Sequence, residues 1–239
     1  MNIRRTGLRA LAVIGAVTLL VACETMPNLG ALLEEPGQSG LSTQTIAQGL
    51  REALRVGSSR AVSDLSRQDG FLQSAFRIPL PDELQQAKNV AQRFGLDGLF
   101  TELEVKLNHA AEAAAPEAER LFVDAVNRLT FRDVMEIYRG PQDAATQYLQ
   151  RTTEQQLMAQ MRPIVDRQLS AVGALTAFQD LAQRYNQLPL VKPIDADVSQ
   201  HVLGYANRAL FSELAAQEAA IRQDPAKRTT ELLRRVFQN

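Results

Sequence analysis

The chain has 239 residues, 45% of them hydrophobic but only 5% aromatic, and no tryptophan; it can bury about 70% of its unfolded surface in a core that must be aliphatic and alanine-rich. Formal net charge is -1, with Arg4, Arg5 and Arg9 in the first ten positions, so the rest of the chain sets 23 basic residues against 27 acidic ones. A mildly acidic body offers no basic face for nucleic acid, and a lone cysteine, Cys23, excludes an internal disulfide framework.

Residues 1–22 read as an export signal: a basic start, then an uncharged apolar stretch from Ala10 to Ala22. That stretch is shorter than the roughly 20 residues needed to span a bilayer. Leu20-Val21-Ala22-Cys23 looks like the lipobox of bacterial lipoproteins, in which diacylglycerol is attached to the cysteine sulfur and cleavage leaves that cysteine at the N-terminus. The competing reading is an ordinary secretory signal with a cysteine near its end. Cys23 has no partner thiol and no neighbouring metal ligands, which leaves lipidation as its expected role. Two or more acyl chains anchor a protein firmly where one holds only marginally. Glu24 follows the cysteine where lipoproteins of the inner membrane typically carry Asp. The resemblance to such lipoproteins implies the outer membrane, facing the periplasm, as the expected location.

Residues 23–40 form the lipidated N-terminus and a tether rich in proline and glycine, and residues 41–239 are expected to be a single helical domain. Ile46, Leu50, Leu54, Gly57, Ala61 and Leu65 form one helical stripe, whose small members invite close approach of a second helix. Asp69-Gly70 marks a turn, and Pro81-Asp82-Glu83 opens the next helix. Leu84, Ala87, Ala91 and Phe94 follow, with Gly95 as the stop. Leu99, Leu103, Leu107, Ala110 and Ala114 make another stripe, and Pro116 restarts a helix carrying Leu121, Phe122, Ala125 and Leu129. Thr130 and Asp133 have the spacing of a capping box for a short helix ending near Gly140. Leu149, Leu157, Met161 and Val165 continue the pattern, with a break or kink expected at Pro163. Phe178, Leu181, Tyr185 and Leu188 precede an extended Pro189–Pro193 connection. Val202, Ala206, Leu210 and Leu214 line a long helix, and Asp224-Pro225 is expected to cap the last one. Period-two alternation is not sustained anywhere, so the expected class is all-α with about eight to ten helices and no repeat of fixed length.

The stretches DGFLQSAFRIPLP (69–81), AAEAAAPEAERLFVDAV (110–126), TFRDVMEIYRGPQDAATQYLQRTT (130–153) and RYNQLPLV (184–191) resemble the domain of unknown function 4197 family. The resemblance covers about residues 41–237. It implies an exported bacterial helical protein, often a lipoprotein, and transfers no catalytic residue or cofactor.

Motifs that carry chemistry are weak. Neither His109 nor His201 completes the Glu-x-x-His pattern of bundle metal sites. Glu112 at i+3 of His109 and Asp197 at i-4 of His201 read as surface helix pairs, and no metal or cofactor is expected. Gly57-Ser58-Ser59-Arg60-Ala61 lacks the last glycine of a nucleophile elbow and sits in a helical stripe. Glu102, Glu104, Asp133 and Glu136 supply carboxylates of the kind every surface helix has. The most suggestive polar cluster runs from Arg139 to Arg151. There a Gly-Pro turn delivers Asp143 as a helix cap, and Asp143, Gln147, Tyr148 and Arg151 could line a groove for a ligand or partner. The expected function is a non-enzymatic binding or scaffolding protein that engages an envelope protein. The alternatives are a helical carrier of lipid or another apolar ligand and, behind it, an envelope hydrolase.

Overall fold

The computed structural model describes residues 41–238, so the stretches expected to be a signal peptide and a tether, and Cys23 with them, lie outside the described residues. Nine α-helices and no strands occur among the described residues: α1 (Thr43–Ser66), α2 (Asp82–Ala91), α3 (Asp97–Ala114), α4 (Pro116–Asn127), α5 (Phe131–Arg139), α6 (Ala144–Ala171), α7 (Ala174–Asn186), α8 (Val198–Gln223) and α9 (Glu231–Val236). The fold is therefore all-α, as the helical periodicity predicts. None of these helices is long and apolar enough to cross a membrane.

The first stripe is buried throughout, and it seats α1 against α4, α5, α8 and α9. α8 packs between α1 and α6, and α3 between α6 and α7. Small residues do set the closest approaches, but the tightest is at Gly49, which lies outside the predicted stripe. A Cβ there would stand 2.8 Å from the Val236 Cβ, whereas one on Gly57 would meet Leu214 Cδ1 at an ordinary 3.4 Å. Aromatic residues are few but central, with Phe122 edge-on to Phe211 at 5.5 Å and Phe100 edge-on to Tyr185 at 6.2 Å.

Local signals locate most helix ends. Thr130 and Asp133 form a complete capping box on α5, and Pro116 is the first residue of α4. Gly95, at φ 69°, closes the 3-10 turn that follows α2. Three expectations change. Of the break or kink expected at Pro163 the break does not occur: α6 continues through the proline, whose ring is exposed while Met161, Ile164 and Val165 around it are buried. That packing outweighs the backbone bond the proline removes. Asp224 caps only a 3-10 turn, Pro225–Lys227, and α9 begins separately behind Thr230. Asp143 precedes α6 but makes no capping bond, because another residue takes the N–H groups it was expected to accept.

The long 67–81 connection is pinned along one face of α3. Glu112 Oε1 accepts from the N–H groups of Phe71 and Leu72 at 3.2 and 3.3 Å. Asn108 Oδ1 accepts from Ile78 N at 2.9 Å, and its amide donates to Ile78 O at 2.8 Å. Arg77 Nε donates to Glu104 Oε1 at 2.9 Å. These three α3 residues are four apart, so one helical ridge holds the whole loop.

His201 fastens the far end of that loop, with Nε2 at 2.7 Å from Pro79 O, where it donates. Burial holds the His201 pKa below its ordinary value; the Pro79 carbonyl opposes this, Arg208 reinforces it and Asp82 opposes it. The unfolded chain therefore binds the proton more tightly than the folded one. This contribution to stability is complete above the unfolded pKa of about 6.5 and is lost as pH falls through the folded value. Replacing His201 by Gln, which retains an N–H donor, should flatten the stability profile as pH falls below about 6.5 in urea titrations. A profile unchanged in slope would show that His201 does not set it.

The Pro189–Pro193 connection carries Leu190 at φ 61°, with the side chain fully exposed at 106%. A leucine in the left-handed region costs about 1–2 kcal/mol, and this one recovers nothing by burial. Leu190→Gly should stabilise the fold by about 0.5–1 kcal/mol, after allowing for the glycine's greater freedom in the unfolded chain. The midpoint of urea unfolding reads this directly.

Candidate functional site

The start of α6 is built from distant parts of the chain. Glu218 of α8, 3% exposed, accepts from Ala145 N at 3.0 Å and from Thr146 N and Thr146 Oγ1 at 2.8 Å each. These are N–H groups that a helix start leaves without intrahelical partners, and a carboxylate is also favoured there by the helix dipole. Arg222, one turn along α8, pairs with Glu218 at 2.9 Å and donates to Ile137 O at the end of α5 at 3.2 Å. Its guanidinium lies 5.7 Å from the Phe237 ring centroid. One buried ion pair thus ties α8, α5, the start of α6 and the segment after α9 into a fixed frame.

That frame places three of the four predicted residues around one depression, with Asp143 beside it. Asp143 Oδ2 accepts from Gln147 Nε2 at 2.9 Å, one turn along the helix. Arg151 lies with its guanidinium 5.7 Å from the Tyr148 ring centroid. Gln147, Tyr148 and Arg151 border a shallow depression of about 140 Å³ shared with Glu136 and Pro141, and Asp143 is not part of its lining. Burial raises the Tyr148 pKa, and Asp133 raises it further. Asp133 is itself held below its ordinary value, chiefly by the Thr130 hydroxyl.

Tyr148 also borders a larger groove, about 290 Å³, between α4 and α6. Its α6 wall is Tyr148, Thr152, Gln156 and Gln160, every fourth residue along one face. Its α4 wall, which continues two residues past the end of the helix, has two registers of the same spacing: Leu121, Ala125 and Leu129 toward the floor, and the exposed Arg120, Asp124 and Arg128 at the rim. Phe122 and Leu157, both buried, complete the floor. The Thr152 and Thr153 hydroxyls donate back to Tyr148 O and Leu149 O at 2.8 and 2.6 Å, so they present mainly their methyl groups and remaining lone pairs. Sequence reasoning found Tyr148 and missed the α4 wall and the two glutamines. A charged row at intervals of four looks identical, in sequence, to an ordinary solvated face.

The other chemical candidates are tied up in the fold. Glu104 pairs with Arg77, Glu112 accepts from the backbone N–H groups of Phe71 and Leu72, and Asp133 closes the box on α5. Asp197 caps α8 through Gln200 N at 2.8 Å and pairs with Arg162 rather than His201. Ser58 is fully buried inside α1, out of reach of a substrate. No group of three or more His, Cys, Asp or Glu suited to a metal occurs among the described residues.

A family model described as a protein of unknown function, DUF4197, matches residues 40–238. The chain belongs to the DUF4197 family. No curated protein and no solved structure matches it. The DUF4197 match and the described helical region share nearly the same limits, so the family unit is this nine-helix assembly. Of the stretches that carry the resemblance, 69–81 is the loop pinned to α3, 110–126 supplies most of the α4 wall, and 130–153 supplies the capping box and the start of the α6 wall.

Proposed function

We propose that this DUF4197 protein is a non-enzymatic binding module of the bacterial envelope, held at the outer membrane by lipid on Cys23 and engaging a partner through the α4–α6 groove. The observation that carries the reading is the groove itself. It combines an apolar floor, a charged rim and a row of polar side chains on two helices whose positions are fixed by packing and by the Glu218 cap. Convergent polar groups over an apolar floor are the ordinary make-up of a recognition site. The lipid-carrier alternative draws less support: the apolar crevice between α6 and α8 has about 10 Å³, room for one water and not for an acyl chain. The hydrolase alternative needs free converging carboxylates; Glu104, Glu112, Asp133 and Asp197 already serve as caps or ion-pair partners, and Glu136 and Asp124 border separate depressions.

Native mass spectrometry of the full-length protein, extracted gently from its own envelope, tests the reading. Wild-type protein should carry a bound protein mass that Gln156→Trp, which fills the groove from an exposed position, removes without changing the unfolding midpoint. Wild-type protein that always flies without added mass would overturn the proposal. The anchor is checked separately, since Cys23→Ser should abolish incorporation of labelled palmitate.

A further inference from the structure

We infer that the occupant of the α4–α6 groove is an amphipathic helix of an envelope protein, whose flank carries an acid, a base and an acid at intervals of four residues. This rests on the groove being the binding site and adds what kind of partner fits it.

Arg120, Asp124 and Arg128 stand at the i, i+4, i+8 positions that ordinarily favour ion pairing along a helix, yet none pairs with another or with any other described residue. All three are exposed at the rim, over a span of about 12 Å at 1.5 Å per residue. The rim therefore presents plus, minus, plus in helical register. One turn of helix separates successive members on the α6 wall and the first two members of each row on α4, whose last members follow the helix end, and the grooves between such i±4 rows receive the i±4 ridges of a third helix. Leu121, Ala125 and Leu129 would receive its apolar anchors, and Gln156 and Gln160, whose amides have no described hydrogen-bond partner, would meet its polar side.

The same features disfavour other occupants. An extended peptide would lay unpaired backbone N–H and C=O groups on the apolar floor, and no strand among the described residues offers an edge to satisfy them. A helix satisfies its own backbone. An anionic lipid headgroup or free phosphate would gain from Arg120 or Arg128 but would be repelled by Asp124 between them. A helix with acids at its ends and a base at its centre uses all three charges.

Fluorescence anisotropy with two synthetic helical peptides of equal composition reads the register. Both carry leucines at i and i+4; one has Glu-Lys-Glu on the flank at intervals of four and a lysine on its far face, the other Lys-Glu-Lys and a glutamate on its far face. At low salt the full-length protein should bind the first about tenfold more tightly, and added salt should narrow the gap. The triple variant Arg120→Glu, Asp124→Lys, Arg128→Glu, altered only at exposed positions, should invert the preference. Equal binding of both peptides, or binding of neither, overturns the inference. If native mass spectra then still show a protein mass that Gln156→Trp removes, the groove reading stands and only the helix register fails. If the added mass is lipid, or if there is none, the groove reading fails as well.

Discussion

Glu218→Ala is expected to lower the stability of the fold by about 3–5 kcal/mol, the cost of stripping one partner from a buried ion pair. The carboxylate serves two N–H groups and a hydroxyl at the start of α6, and it neutralises Arg222, whose side chain is only 11% exposed. Its removal strands all of them at once in a site water hardly reaches. Glu218→Gln keeps the shape and one acceptor oxygen and should cost about half as much. Urea unfolding should show the midpoint falling with an unchanged slope. Hydrogen exchange should accelerate first at Ala145 and Thr146, the amides that lose their acceptor. Because α6 forms one wall of the groove, binding there should weaken even where the rest of the fold survives. An unfolding midpoint equal to that of the wild type would show that the cap carries no weight.

The second large effect is expected at Asn108. Its side chain is fully buried, donating to Ile78 O and to Glu104 O at 2.8 Å each while accepting from Ile78 N. Asn108→Ala leaves both backbone groups of Ile78 without partners in the core, a cost of about 2–4 kcal/mol. Asn108→Asp should be no milder, because it loses the donor and buries a carboxylate. Arg77→Ala makes the contrast. Its partner Glu104 is buried, but Arg77 itself is 54% exposed, so the loss should stay near 1 kcal/mol. Denaturant titration of the three variants side by side separates a pinned backbone from a surface ion pair.

These two residues also mark where sequence reasoning stops. The stripe from Ile46 to Leu65, the capping box at Thr130 and Asp133, and the restart at Pro116 are legible because their causes lie within one or two helical turns. The cap on α6 comes from 72 and 73 positions away, so Asp143, next to the helix start, was the natural and mistaken choice. Pro163 reads as a break because its local cost is visible and the compensating burial of its neighbours against other helices is not. Tyr148 stood out as a large side chain beside charges. The α4 half of the groove had no such mark, since Arg120, Asp124 and Arg128 acquire meaning only when α6 is laid beside them.

The central claim is that the α4–α6 groove receives a protein partner, and site-specific photo-crosslinking in intact envelopes tests it most directly. A photoreactive residue at Gln156, in the groove, should give one discrete adduct of raised mass that vanishes in the Arg120→Glu, Asp124→Lys, Arg128→Glu background. The same residue at Gln183, exposed on α7 and outside the groove lining, should give none. Identical adducts from both positions, or no protein adduct from Gln156, would contradict the account.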